Sequence, residues 1–199
     1  GIVSNIVSIC VFFKMGVQDS VTLSFFFLSI SDFAYLSITT VCAVCAIIGY
    51  GPDGLKIYPL NVKDFTYWIA VIFYNVAMFL RVFIAVGRCC LVALPLHFKN
   101  MFTKRRTLLV VYLITLSVVA MRVPMLTTQI WVGVPDPRTN STNIALRRTD
   151  GYTVILTVQD ILNRNVITWL CFLTVLLSFL ILATALRKAA RFRHSAKST

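Results

Sequence analysis

The residues of this chain that can do chemistry are ionisable and amide side chains placed inside or at the end of apolar segments. Arg88 ends one long apolar segment, and Arg81 lies seven residues before it, about two turns away on a similar helical face. Asp32 has apolar runs on both sides, Arg122 stands beside Pro124 in another apolar stretch, and Asn5 interrupts the first. A charge in hydrocarbon is costly, so such groups face a bundle interior or a water-filled cavity and mark function. Pairing and binding are the chemistry open to them. Asp32 is the counter-charge that a deep arginine needs, and an Arg81–Asp32 pair is expected. The plainer alternatives are that Arg81 reaches the interface or meets backbone carbonyls, and that Asp32 sits near a helix end. Arg122 has a planar fork able to hold a carboxylate by two hydrogen bonds, or it could reach the membrane surface. Catalysis and metal binding have almost no material. His97 and His194 lie far apart, and Cys10, Cys42, Cys45, Cys89, Cys90 and Cys171 follow neither zinc spacing nor a secreted disulfide framework. Neither enzymatic activity nor a cofactor or metal is expected.

Those residues need an apolar scaffold, and composition supplies it. Of 199 residues, 58% are hydrophobic and 13% charged, against about a quarter charged in soluble domains. Mean hydropathy is +0.84, so the natural solvent of the chain is the lipid bilayer. The net charge of +12 raises nucleic acid as a partner. The basic residues gather instead in membrane-flanking loops, without an aromatic–basic platform, and no nucleic acid is expected.

A spanning helix needs about 20 predominantly apolar residues. Four segments meet that length: Val21–Ile48, Phe65–Leu94, Thr107–Trp131 and Ile161–Leu186. Gly1–Phe13 is apolar but short, lacks an initiator methionine and a basic leader, and reads as a span cut by an incomplete sequence. The Leu96–Arg106 loop and the tail after Leu186 carry bases without acids, as does Lys14 between the first two spans. Gly49–Asp64 and Val132–Asp160 mix both signs. Positive residues favour the cytoplasmic side, which puts the N-terminus outside. Asn140-Ser141-Thr142 is a glycosylation acceptor in a loop that charge also places outside. The expected architecture is all-α, a multi-pass transmembrane bundle forming one domain over residues 1–199.

The string from Gly87-Arg88-Cys89 to Pro95-Leu96 resembles the Asp-Arg-Tyr end of helix three, with its loop proline, in rhodopsin-like (class A) G-protein-coupled receptors. Gly87 stands where that family has an acid, and Cys89 where it usually has tyrosine. Asn5 resembles the asparagine of helix one, and Leu28-Ser29-Ile30-Ser31-Asp32 the Leu-Ala-x-x-Asp string of helix two. The likeness covers nearly the whole chain as the first five of seven helices, leaving helices six and seven missing. Several family marks are absent: the outer-loop cysteine, a central tryptophan in the fourth span and a proline in the fifth. The Arg88-Cys89-Cys90-Leu91 to Pro95-Leu96 string is similar to the chemosensory receptors of gastropod molluscs.

The resemblance implies a plasma-membrane receptor with an extracellular N-terminus, sensing an extracellular small-molecule or peptide ligand. It implies coupling to a heterotrimeric G protein through Arg88, Pro95 and Leu96, and a polar network of Asn5, Asp32 and Arg81. Arg81 would take the place of the sodium ion that many members bind near the aspartate. Tyr74, Asn75 and Arg122 are the candidate ligand-pocket residues. Ala70 stands near the point where amine receptors carry an aspartate, so an amine held by that salt bridge is not expected. Gly87 removes the acid that restrains the neighbouring arginine, so Arg88 is held otherwise or basal activity is raised. A second reading is a transporter or channel piece, with Asp32, Arg81 and Arg122 along a polar pathway. Against it stand the lack of inverted-repeat symmetry and of broken helices, since Pro124 is the only proline well inside a span.

Overall fold

The computed structural model describes residues 1–17, 19–49, 59–93, 102–136 and 141–197. Helices α1 (Ile2–Met15), α2 (Ser20–Gly49), α3 (Pro59–Ala93) and α4 (Lys104–Thr127) are followed by strands β1 (Gln129–Asp136) and β2 (Ser141–Arg148). Then come α5 (Tyr152–Gln159), a π-helical segment (Asp160–Ile167) and α6 (Thr168–Lys197), which run on without a break. Among the described residues, four helical stretches are long and apolar enough to cross a membrane: Ser20–Val44, Thr66–Val92, Lys104–Thr127 and Tyr152–Lys188. The Ile2–Met15 helix is apolar but shorter. Helix dominates for a physical reason, because hydrocarbon offers no partner to a free N–H or C=O.

Local chemistry sets the ends. At the close of α1, Gly16 adopts φ 75°, which a side chain would resist, and its N–H returns to the carbonyl of Phe13 at 3.3 Å. Thr103 caps α4, its hydroxyl accepting the Arg106 N–H at 3.4 Å. Pro59 opens α3, where a missing N–H costs nothing. Within α2 the buried hydroxyls of Ser24, Ser29 and Ser31 donate to the carbonyls of Ser20, Phe25 and Phe27 at 2.9, 3.0 and 2.9 Å. Polar side chains are thereby satisfied inside an apolar helix.

Packing centres on α3. Val76 and Leu80 meet Val111 and Val118 of α4, with Phe27 and Leu28 of α2 against them. Ala70 and Ala77, 1% and 0% exposed, let neighbouring backbones approach closely. Leu80 is itself fully buried. Leu80→Ala is expected to destabilise the bundle by about 2–5 kcal/mol, read as a lower thermal midpoint in detergent. An unchanged midpoint would show that this cluster is not the core.

Two boundaries differ from the sequence expectation. Val132–Asp160, read as one polar loop, instead contains most of an antiparallel hairpin, with Gln129 opposite Arg148 and Asp136 opposite Ser141. Pairing lets the backbone of that segment satisfy itself at the end of the bundle. Thr149 ties it down, its N–H and hydroxyl both donating to the Thr128 carbonyl at 3.0 and 3.2 Å. Trp131, assigned by sequence to the fourth span, belongs to β1. The last span starts at Tyr152, nine residues before Ile161. Polar Gln159, Asp160, Asn163 and Arg164 lower the local hydropathy and hide that helical start. Asp160 is therefore an acid within a candidate span, alongside Asp32.

Candidate functional site

Residues of α2, α3, α4, the end of α5, the π-helical segment and the start of α6 line a cavity of about 250 Å³. Tyr35 comes from α2, and Tyr67, Trp68, Tyr74 and Asn75 from α3. Arg122 comes from the far end of α4, beside Pro124. A second cluster, Trp68, Met125 and Tyr152, packs the walls together.

The π-helical segment contributes the most polar wall. Its Asp160, Asn163 and Arg164 join Gln159, the last residue of α5, and Thr168, the first of α6, in one lining, and the Thr168 hydroxyl donates five residues back to the Asn163 carbonyl at 2.8 Å. Such segments are rare and occur often at functional sites.

Arg122 is only 4% exposed. Its Nη1 donates to Gln159 Oε1 at 3.1 Å, and Asn163 Nδ2 donates to the same oxygen at 2.7 Å. Gln159 Nε2 in turn donates to the Met121 carbonyl. The guanidinium lies 5.9 Å from the centre of the Trp68 ring, a cation–π distance. Its Nε is buried and has no hydrogen-bond partner among the described residues. Asn75 is 5% exposed, while Tyr74 is largely open and packs against Tyr35 at 5.5 Å between ring centres.

All three residues named from the sequence as pocket candidates thus line one cavity. Sequence reasoning did not name Tyr35, Tyr67, Trp68 or the π-helical residues. The available signal is Gln159-Asp160 followed by Asn163-Arg164, a polar pair repeated at helical spacing across the expected boundary between the Val132–Asp160 loop and the Ile161–Leu186 span.

Midway along α2 and α3, Arg81 Nη2 donates to Asp32 Oδ1 at 2.5 Å, the single ion pair among the described residues. Asp32 lies 12 residues from Ser20 and Arg81 lies 12 from Ala93, about 18 Å along each helix. No side-chain hydrogen bond joins Asn5 to this pair among the described residues.

At the opposite end of α3 from the cavity, the Arg88 guanidinium stands 5.6 Å from the ring centre of Phe25. The backbone of Gly87 is covered by Phe102, and a Cβ there would lie 3.1 Å from Phe102 Cε1. Phe102 also packs against Phe83, 5.6 Å between ring centres. The Cys89 thiol donates to the Ser178 carbonyl of α6 at 2.9 Å. Cys10, Cys42, Cys89, Cys90 and Cys171 are free thiols. Pro95, Leu96 and Asn140 lie outside the described residues.

The architecture is that of a seven-helix receptor. The chain is similar in fold to squid rhodopsin, with a TM-score of 0.63 at 13% sequence identity. The alignment covers 98% of this chain and 51% of squid rhodopsin, so the chain spans about half the length of that structure. The family model for the serpentine type 7TM GPCR chemoreceptor Srx matches residues 1–199, and the chain belongs to that family. Comparison with curated proteins returns no match. The family is one of receptors rather than enzymes, and the chain is a multi-pass membrane protein of the G-protein-coupled class.

Proposed function

We propose that the chain is the ligand-binding and signal-transmitting part of a plasma-membrane chemoreceptor. An extracellular ligand enters the cavity bounded by Tyr74, Asn75 and Arg122, and a heterotrimeric G protein is engaged at the Arg88 end, together with Pro95 and Leu96. The orientation rests on the excess of bases in the Leu96–Arg106 loop. It makes the hairpin end extracellular, with Asn140 as a glycan acceptor there. The observation that carries the reading is that α3 bears both ends: Asn75 lines the cavity and Arg88 lies thirteen residues on, about 20 Å away on the same rigid helix. A ligand that binds one position of α3 better than another biases the helix, and with it the surface offered to the G protein.

Within this proposal, Asp32 and Arg81 form the intramembrane pair that fixes α2 against α3, in the place where related receptors hold sodium. Asn5 is the neighbouring polar group of α1. The finer likeness to class A and to mollusc chemosensory receptors rests on the Arg88 string and on Asp32. The transporter reading finds no support in the family match or in the fold.

The test is G-protein turnover in vesicles holding the receptor. Arg88→Ala is expected to lower receptor-stimulated GTP exchange to the rate of G protein in empty vesicles, with an unchanged thermal midpoint. Exchange that persists at the wild-type rate would remove Arg88 from the coupling surface.

A further inference from the structure

Resting on the proposal that the cavity binds ligand, we infer that its ligand is a small organic anion, a carboxylate carried on a flat apolar body. The first reason is Arg122. A guanidinium is almost never fully buried without a counter-charge, because removing it from water is costly. Arg122 is 4% exposed, yet among the described residues the one side chain that accepts its hydrogen bond is the neutral amide of Gln159.

That amide is itself locked, by Asn163 on its oxygen and the Met121 carbonyl on its nitrogen. The lock fixes the guanidinium plane against Trp68 and leaves the Nε–H with no acceptor among the described residues. A buried donor without a partner is a penalty that an incoming oxygen would relieve. A carboxylate suits a guanidinium because its two oxygens match the planar fork.

Charge in the lining points the same way. Arg122 and Arg164 face the cavity against Asp160, which attracts Arg122 through space without forming an ion pair with it, so the lining keeps a net positive charge. A cationic ligand would meet a net positive wall, even though the aromatic rings would otherwise suit it. Size limits the body of the ligand. At about 250 Å³ the cavity lies at or below the small end of drug-sized pockets. It takes a single ring or a short chain rather than a folded peptide. Tyr35, Trp68 and Tyr74 supply flat apolar faces for that body.

The experiment uses purified receptor in nanodiscs and three matched series. These are phenylacetate, indole-3-acetate and octanoate, each beside its neutral amide and the amine of equal length, read by thermal shift and by calorimetric titration. At least one carboxylate is expected to bind, with its amide and amine weaker. Arg122→Gln is expected to weaken the carboxylate by about tenfold or more, as loss of a charged hydrogen bond implies. Arg122→Lys should recover part of the affinity. Asp160→Asn removes the opposing charge and should tighten carboxylate binding, which keeps the test valid if Arg122→Gln folds poorly. Thr168→Trp, which fills the cavity, should abolish binding of every probe.

Amides or amines that bind as well as the acids, with Thr168→Trp still blocking them, would overturn the anion assignment and leave the cavity as the ligand site. Probe binding that survives Thr168→Trp, or no binding in any series, would overturn both.

Discussion

Arg81→Met is expected to remove most of the receptor from the cell surface, Asp32→Leu to do the same, and the double replacement to restore much of the loss. The expectation follows from where the pair sits. Both groups lie 12 residues from the helix ends at the Arg88 side, about 18 Å along helices long enough to cross a hydrocarbon layer roughly 30 Å thick. Removing one partner strands the other charge, which costs about 3–5 kcal/mol in a buried pair. Arg81 is 47% exposed on the bundle and Asp32 24%. The lower part of that range is therefore expected for Asp32→Leu, since the arginine it leaves has room to reposition. Replacing both with apolar residues of similar volume removes the charge and its desolvation together, so the double variant should recover. Surface display by flow cytometry and melting in detergent give the readouts. If Arg81→Met were neutral while Asp32→Leu abolished display, Arg81 would be reaching water independently, and the pair would carry no structural weight.

Gly87→Asp is expected to lower basal G-protein exchange, whereas the equally large but neutral Gly87→Asn leaves it higher. Among the described residues Arg88 has an aromatic neighbour, Phe25, and no acidic partner. A cation–π contact at an exposed site is worth about 0.5–1 kcal/mol. A carboxylate placed next to the arginine adds a restraint of about 0.2–1 kcal/mol, enough to lower exchange by up to about fivefold. Size has its own effect, because any Cβ at this position lies 3.1 Å from Phe102 and must push its ring aside. Asn imposes the same push without the charge, which is why the pair of variants separates the two causes. Equal exchange in wild type and Gly87→Asp would show that an acid at this position does not restrain the arginine. Equal changes in Asp and Asn would assign the effect to the displaced Phe102 ring.

The two experiments probe different parts of one helix. The Arg81 pair concerns whether α3 is anchored at all, and Gly87 concerns how its Arg88 end is held at rest. Their outcomes are independent, since Gly87 lies six residues beyond Arg81 and the two share no partner among the described residues.

Long apolar runs were enough to determine a membrane bundle and the approximate place of its spans. Helix is the cheapest way to hide a backbone in lipid, so hydropathy alone decides it. The same economy made Asp32, Arg81, Arg88 and Arg122 conspicuous, because each stands where charge is expensive. Boundaries near polar side chains were not legible. Gln159 and Asp160 look like a loop by composition, yet they sit in helix, with their side chains lining a cavity that other elements help to form. The hairpin was equally hidden, since Gln129–Asp136 and Ser141–Arg148 show no clear alternation of apolar and polar residues. Which partner each charge has depends on contacts between residues distant in sequence. Asp32 meets Arg81 across 49 positions and Arg122 meets Gln159 across 37. Sequence revealed which residues need a partner, because that depends on the solvent around a helix. Only the tertiary structure decided which partner each has, because that depends on how α2, α3, α4 and the π-helical segment rotate as they pack.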